Sequence, residues 1–320
     1  MGSVVFTTLM STLAPPRSPG SPASPPSSPR RVGSLPPLLL LCLGATWLVW
    51  GSTYLAIKFA LVSFPPFFQM GTRFLFAGVV LMAWMRWRGA PWPSPRQWLH
   101  ALAIGTLMLG GGMGGTAFAE VSVGSGLVVA FIAVVPLLIA ALNLVWGVVP
   151  RRIEVAGIVL GLIGVVLLTQ GAGFGASPAG LAAIAIACVA WALGSVLSQR
   201  RWPLAPGAAG FASEMICGGV VLLLISASQR EQPQWPPQAS AVAAWVYLVV
   251  FGSLVAFNAY MLLLARAPAS LASSYTFVNP VIAMLLGVAV AGETVTRFEW
   301  AAVSVVLAGV LLLLWRRSRG

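Results

Sequence analysis

The chain is built from long apolar runs, each of about the length needed to cross a bilayer. A transmembrane helix needs about 20 predominantly apolar residues. Breaks at Pro, Gly and Arg divide the sequence into ten such runs joined by short loops. They are residues 38–60, 67–87, 97–119, 123–147, 152–170, 178–199, 209–228, 240–263, 268–291 and 297–315. We therefore predict an all-α integral membrane protein with ten transmembrane helices.

The composition excludes most soluble classes. Charged residues make up 8% of the chain and hydrophobic residues 59%, whereas a soluble domain carries about 25% charged residues. A net charge of +12 is typical of nucleic-acid binding, but here the basic residues are dispersed between apolar blocks, so the bilayer and not a nucleic acid is the expected partner. Residues 1–37 are rich in Pro and Ser and are predicted to be a disordered tail, and 316–320 a basic cytoplasmic C-terminus.

Arginine and lysine predict the orientation. If both termini lie in the cytoplasm, 14 of the 18 basic residues fall on the cytoplasmic side, and only Arg230 and Arg297 fall on the outer side. Lys58 and Arg73 lie within predicted spans. Cytoplasmic loops of membrane proteins are enriched in Lys and Arg. We therefore predict a multi-pass protein with cytoplasmic N- and C-termini.

The two halves of the chain align with each other. At a shift of 141 residues Trp50 meets Trp191, Arg73 meets Glu214, and GVVL at 78–81 meets GVVL at 219–222. Three later landmark pairs keep nearly the same spacing: Gly105 with Gly252, Pro136 with Pro280, and Glu154 with Glu299. We predict two five-helix repeats, residues 38–170 and 178–315. Because five is odd, the second repeat enters the membrane from the opposite side, which is typical of secondary transporters.

Four motifs resemble the EamA-type exporters of the drug/metabolite transporter superfamily. They are WGSTYLAIK (50–58), GTRFLFAG (71–78), SGLVVAFIAVVPLLIAAL (125–142) and SYTFVNPVIAMLLGVAVAGETVTRFEWAAVSVVLAGVLLL (274–313). The resemblance covers about 38–315 and implies export of a small metabolite, amino acid or drug-like solute across a bacterial inner membrane by alternating access. It also implies that helices 1–4 and 6–9 form the pathway. The sequence departs from the family at 148–154 (VVPRRIE), which lacks the acid that Glu293 provides in the second half.

Arg73 and Glu214 are the main candidates for charged pathway residues. Ionisable groups inside a membrane are costly and usually functional. Arg73 is expected either to snorkel or be held structurally, or to face the pathway as a fixed positive charge. Glu214 is expected either to be wetted or hydrogen-bonded near the cytoplasmic boundary, or to bind a proton or a substrate amine. The inverted topology places the two at different depths, which argues against an ion pair between them.

The remaining candidates are polar, aromatic and helix-breaking residues within the spans. They are expected either to line a substrate cavity or to pack helices together; Lys58 is either a snorkelling residue or a ligand, and the two prolines are expected to kink their helices. These candidates are Trp50, Lys58, Asn143, Trp191, Asn258, Tyr260, Tyr275, Asn279, Pro136 and Pro280.

The sequence contains six Glu, no Asp, one His and three scattered Cys. This set predicts no metal site and no cofactor, and it weakens the alternative of an integral-membrane enzyme acting on lipids or prenyl groups. A structural membrane protein is the other alternative, but it would not require an inverted repeat. Gly157 and Gly161 have the GxxxG spacing of helix packing or of a homodimer contact. Glu214, the one acid well inside a predicted span, makes protons a candidate coupling ion.

Overall fold

A computed structural model describes residues 36–123, 128, 131–169, 177–291 and 297–315. Nearly all of the predicted N-terminal tail, the C-terminal residues 316–320 and Glu293 lie outside the described residues. The described part of the chain consists of helices joined by turns and short connections.

Most of the described helices follow the predicted spans closely, whereas the fourth and ninth begin later than predicted. The first half contains α1 (Pro37–Leu61), α2 (Pro66–Trp87), α3 (Pro95–Ala119), α4 (Val135–Leu144) and α5 (Arg152–Thr169). The second half contains α6 (Pro178–Arg200), α7 (Ala208–Ser228), α8 (Ala239–Arg266), α9 (Tyr275–Ala291) and α10 (Arg297–Trp315), with a helical turn at Ala269–Ala272 before α9. Among the described helices, α1, α2, α3, α6, α7 and α8 are long and apolar enough to cross a membrane.

Several helix starts are encoded locally by proline. Proline occupies the first turn of α1, α2, α3 and α6, where its missing N–H costs nothing and its fixed φ favours the helix. At α3 the Ser94 side chain accepts a hydrogen bond from the backbone N–H of Gln97, and the Gln97 side chain accepts one from the backbone N–H of Ser94. This reciprocal cap fixes the helix start.

The fourth helix differs from its prediction. The range 123–147 is too long, because the described helix ends at Leu144 and the chain turns at 145–147, where Gly147 has φ of +70°. Pro136 lies in the first turn of α4, after a turn at 133–134 that separates it from the helical residues 131–132, and the kink at Pro136 stays a prediction. In α9, by contrast, the helix continues through Pro280.

Hydrogen bonds between connections separate the helix ends into two groups. At one end, the carboxylate of Glu231 accepts from the backbone N–H groups of Phe67 and Phe68; we call it the Glu231 end. At the other, the Arg200 guanidinium donates to Asn143 Oδ1. We call this the arginine-rich end, since it carries Arg86, Arg88, Arg96, Arg151, Arg152, Arg200, Arg201 and Arg266.

The contact between α2 and α7 is reciprocal. A Cβ added at Gly78 would lie 2.8 Å from the Ile216 nitrogen and 3.0 Å from the Ala212 oxygen. A Cβ added at Gly219 would lie 2.5 Å from the Leu75 nitrogen and 3.0 Å from the Gly71 oxygen. At the shift of 141 residues, positions 71, 75 and 78 align with positions 212, 216 and 219. The two contacts are therefore equivalent when the two halves of the chain are exchanged.

The contact between α5 and α10 has the same property. A Cβ at Gly164 would lie 2.7 Å from the Val306 nitrogen, and one at Gly309 would lie 2.7 Å from the Gly161 nitrogen. Here the register shift is 145, the value at which Glu154 aligns with Glu299. The GxxxG glycines of α5 therefore pack against helices of the same chain: Gly309 lies on Gly157 and Gly161, and Gly161 also faces the ring of Phe277.

Candidate functional site

A large cavity opens at the arginine-rich end. Its volume is about 620 Å³, within the range of small-molecule sites, roughly 300–1,000 Å³. The ends of α4, α6, α7 and α8 line it, together with the connections 148–150 and 203–207. We call this cavity the vestibule. Its polar groups include Asn143, whose Nδ2 donates to the Ile139 carbonyl and whose Oδ1 lies 3.3 Å from Arg200 Nη2.

A second, smaller cavity lies midway along the helices. Its volume is about 50 Å³, and we call it the aromatic cavity. Its lining is Trp50, Thr53, Tyr54, Ile57, Gly112, Met113, Thr116, Ile132, Val135, Ala187, Cys188, Trp191, Tyr275 and Asn279. The adjacent α4 residues Val135 and Pro136 line different cavities, so α4 separates the vestibule from the aromatic cavity.

Four aromatic side chains from different helices meet beside this cavity. The Trp50 ring centroid lies 4.7 Å from that of Tyr275, 5.2 Å from Tyr260 and 5.7 Å from Trp191. The Trp50 indole N–H donates to the Gly252 carbonyl at 3.2 Å, and the Trp191 indole N–H donates to the Tyr260 hydroxyl at 3.2 Å. The polar edges of both indoles are therefore satisfied by protein.

Two helices, α3 and α8, each contain a π-helical segment. These segments are Thr106–Gly114 in α3 and Leu248–Phe257 in α8. In the first segment Gly112 lies against the Trp191 ring, where an added Cβ would be 2.9 Å from Cε3. In the second, Gly252 provides the carbonyl that holds Trp50. Because π-helical turns are common at functional sites, their position beside the two tryptophans strengthens the case for this region.

Arg73 is buried between α2 and α8. Its side chain is 1% exposed, Nε donates to Ser253 Oγ at 2.7 Å, and the guanidinium carbon lies 4.7 Å from the Phe74 ring centroid. Nη2 has no hydrogen-bond partner among the described residues. The snorkelling interpretation is therefore wrong, because the guanidinium is covered by helix packing. Arg73 does not line either cavity.

Glu214 is also fully covered. It is 0% exposed, and within the described ranges neither carboxylate oxygen has a hydrogen-bond partner. The burial argues against a boundary glutamate wetted from the cytoplasm, and the lack of partners argues against one bonded to hydroxyl groups. The two residues contact glycines that align with each other in the two halves of the chain. The backbone carbonyl of Glu214 faces Gly105, and the side-chain guanidinium of Arg73 faces Gly252. Their charged groups are not paired with each other.

The other predicted residues are divided between the cavity and helix packing. Lys58 is exposed, and Tyr260 is completely buried under the tryptophans. Asn258 donates from Nδ2 to the carbonyls of Ser253 and Leu254 in its own helix. Asn279 lines the aromatic cavity at 1% exposure. Its amide lies near the Tyr54 hydroxyl, but neither Nδ2 nor Oδ1 makes a well-formed hydrogen bond in the described part of the chain.

Sequence reasoning missed Glu120. It follows the last residue of α3 at the Glu231 end, is 8% exposed, and has no hydrogen-bond partner for either carboxylate oxygen among the described residues. Burial raises its pKa from 4.5 to about 8, and the nearby Lys58 ammonium opposes that rise. In sequence Glu120 lies five residues after the glycine-rich run 110–115, and that position gives no sign of burial, since an acid in a loop is normally solvated.

The comparison with protein families decides the classification. The sequence profile of the EamA-like transporter family matches residues 36–170 and again residues 178–315. This chain belongs to the EamA-like transporter family. As an EamA protein it is similar over most of its length to the inner membrane transporter YedA of Escherichia coli, with 39% identity over 270 residues, covering 84% of this chain and 88% of YedA.

More distant relatives cover similar shares. The transporter sll0355 of Synechocystis is 28% identical over 85% of this chain and 88% of its own length. Protein PecM of Dickeya dadantii is 29% identical over 75% of this chain and 80% of its own length. A solved crystal structure has the same fold, with a TM-score of 0.70 at 24% identity, covering 88% of this EamA chain and 99% of the other.

Family membership and structure together support a multi-pass inner membrane transporter. The family and the inner membrane relatives give the class and the location. The apolar helices α1, α2, α3, α6, α7 and α8 are long and apolar enough to cross the membrane.

Proposed function

We propose that this EamA protein is a secondary active transporter that exports a small metabolite, amino acid or drug-like solute by alternating access. In this proposal all of α1–α10 cross the membrane, and residues 38–170 and 178–315 are inverted repeats. The repeats rock about the α2–α7 contact, so that a central site faces the two sides of the membrane in turn. Inverted repeats with a site at their interface are the usual architecture for this mechanism.

The reciprocal glycine contacts are the observation that carries the proposal. Gly78 on α2 and Gly219 on α7 each approach the other helix at register-equivalent backbone atoms. A contact that is unchanged when its two partners are exchanged is what a two-fold axis between the repeats requires. The two matches to the same family profile support the same division of the chain.

The structure is open towards one side of the membrane. The arginine-rich end is assigned to the cytoplasm, because basic residues accumulate on that side. This assignment also places both chain termini in the cytoplasm. The vestibule then faces the cytoplasm. At the opposite end the chain is closed by the bonds from Phe67 and Phe68 to Glu231, by Ser122 on Ser177 at 2.7 Å, and by the stacked rings of Phe67 and Phe118. A solute would enter from the cytoplasm and stop at the aromatic cluster.

The predicted site residues take two roles in this proposal. Trp50, Trp191, Tyr275 and Asn279 contact the solute, because they line the aromatic cavity. Arg73 and Glu214 lie outside this lining. Each would place one charge near the pathway, Arg73 in the first repeat and Glu214 in the second. A proton exchanged for the solute would bind a buried carboxylate without hydrogen-bond partners. Among the described residues, Glu214 and Glu120 have such carboxylates.

Counterflow in proteoliposomes tests the proposal. Purified protein is reconstituted in vesicles preloaded with single unlabelled solutes from a panel of amines, amino acids, organic anions and nucleosides, and uptake of the labelled solute is followed. We expect counterflow for at least one solute, its loss in Trp191→Ala, and no loss in Trp87→Ala, since Trp87 is 75% exposed. No counterflow for any solute by correctly folded protein would contradict transport and favour a structural role.

A further inference from the structure

We propose that the aromatic cavity binds a primary ammonium group, with Asn279 as its hydrogen-bond acceptor and Glu120 as its counter-charge. The inference deepens the proposed function by naming the chemical class of the solute, and it rests on that function only for the step of export. Binding itself is a property of the cavity.

The size of the cavity admits a small head group. Its volume is about 50 Å³, and about 10–15 Å³ of such space is enough to hold one water molecule. A primary ammonium is about as large as a water molecule and fits. A trimethylammonium group is several times larger and has no N–H group to donate to Asn279.

Asn279 supplies an unused acceptor inside the cavity. It lines the wall and is 1% exposed, and its Oδ1 makes no well-formed hydrogen bond within the described ranges. A buried polar group left unpaired costs about 1–3 kcal/mol, so native structures rarely keep one without a reason. An ammonium carries three donors and would satisfy Oδ1 directly.

The aromatic walls favour a cation. The lining combines the rings of Trp50, Tyr54, Trp191 and Tyr275, and none of the lining residues is charged. The indole N–H groups of both tryptophans already donate elsewhere, so a group in the cavity would meet their ring surfaces. Cations are attracted to such faces, most strongly to tryptophan. Arg73 stays outside the lining, behind Gly252.

Glu120, when ionised, places a negative charge close to Tyr54, which lines the cavity. Its carboxylate interacts electrostatically with Tyr54 and Lys58, both on α1. Lys58 is exposed, and its ammonium already acts on this carboxylate. An ammonium beside Tyr54 would add a second cation on the cavity side of Glu120. The remainder of the solute would extend past Val135 and Pro136 into the vestibule.

Three probes of nearly the same shape separate charge from size. Binding of 2-phenylethylamine, 2-phenylethanol and trimethyl(2-phenylethyl)ammonium to the purified full-length protein in lipid nanodiscs is measured by calorimetry at a pH of about 9, where the Glu120 carboxyl is ionised. We expect the primary amine to bind at least tenfold more tightly than either of the others. Equal binding of the alcohol, equal or tighter binding of the trimethylated cation, or no binding of the amine to folded protein would overturn the proposal.

Variants locate the site. Asn279→Leu and Glu120→Gln should each weaken amine binding about tenfold, Lys58→Met should strengthen it, and Arg88→Gln at the opposite end should leave it unchanged. An Asn279→Leu variant that is folded and binds the amine normally would contradict the assignment. Counterflow of a solute without an amine by the same preparation would reject the ammonium site and support the transport function. Amine binding without counterflow of any solute would support the ammonium site and reject the transport function.

Discussion

Gly78 and Gly219 occupy interchangeable positions where α2 and α7 cross. Each lets the opposite helix approach so closely that an added Cβ would lie within 3.0 Å of two backbone atoms, and the atoms contacted are equivalent under the shift of 141 residues. The internal similarity of the sequence is therefore matched by a symmetric contact. This relation underlies the proposed rocking of two repeats.

The glycine contact predicts equal effects from its two sides. Gly78→Ala and Gly219→Ala should each destabilise the protein by about 1–3 kcal/mol, the usual cost of overpacking, because the facing atoms are backbone and move little. Gly44 has nothing within 4 Å of an added Cβ, so Gly44→Ala should be neutral or stabilising through helix propensity. Thermal unfolding followed by tryptophan fluorescence measures all three. If Gly78→Ala proves as harmless as Gly44→Ala, the close contact is not present.

Arg73 and Ser253 should be coupled. Arg73→Lys retains the charge but loses the donor that bonds Ser253 Oγ, and Ser253→Ala loses the acceptor. Each should cost about 1.5–3 kcal/mol, typical for a hydrogen bond to a charged group, and the double variant should cost clearly less than the sum of the two. Arg88→Lys, in an exposed position, is the control. Additive losses would show that the 2.7 Å bond contributes nothing.

The Tyr260 hydroxyl should stabilise the aromatic cluster. It accepts from the Trp191 indole and lies 2.9 Å from Ser195 Oγ, so Tyr260→Phe leaves two buried polar groups without this partner. We expect a loss of about 1–3 kcal/mol in unfolding free energy. Tyr247→Phe, which removes a single part-buried contact with Ser52, should cost less. The reverse order in thermal unfolding would contradict the account of the cluster.

The pH dependence of amine binding should follow Glu120. Its pKa is raised to about 8 by burial, against the opposing charge of Lys58, so the carboxyl is protonated below that value and charged above it. Affinity for 2-phenylethylamine should therefore increase as the pH rises from about 6 to about 9, until the amine itself begins to lose its proton. Glu120→Gln should remove most of this dependence. A wild-type affinity that is constant over the range would contradict the role of Glu120.

The orientation can be tested with fusions. Alkaline phosphatase inserted after Gln234, in the connection between α7 and α8, should be active, because the Glu231 end is assigned to the periplasm. The same enzyme inserted after Arg201 should be inactive. The opposite pattern would reverse the assignment based on the arginine-rich end.

Much of the fold could be predicted from the sequence, because the membrane imposes a length on each helix and proline marks several starts. The fourth helix could not, since its apolar run continues to Gly147 while the backbone leaves the helix after Leu144. Prediction was also poor for buried charges. Linear position placed Arg73 and Glu214 near opposite surfaces, but neighbouring helices cover both side chains.

The candidate site was predictable where a local pattern existed. Asn279 was singled out because it precedes a proline, and the two tryptophans because they align in the repeat; all three line the aromatic cavity. Ser253 was not found, because it lies 180 residues from Arg73 in sequence. Glu120 was not among the predicted site residues, since only the folded structure reveals that its side chain is buried.

Alternating accessibility of two cysteines tests the transport mechanism most directly. With Cys42, Cys188 and Cys217 replaced by alanine, Ser198→Cys reports on the vestibule and Thr116→Cys on the aromatic cavity. Membrane-impermeant maleimide is applied to intact cells and to inverted vesicles, with and without a solute identified by counterflow. We predict that Ser198→Cys is labelled only from the cytoplasmic side, and that the solute changes its labelling and the periplasmic labelling of Thr116→Cys in opposite directions. Labelling rates that do not respond to the solute, or that rise and fall together, would contradict alternating access.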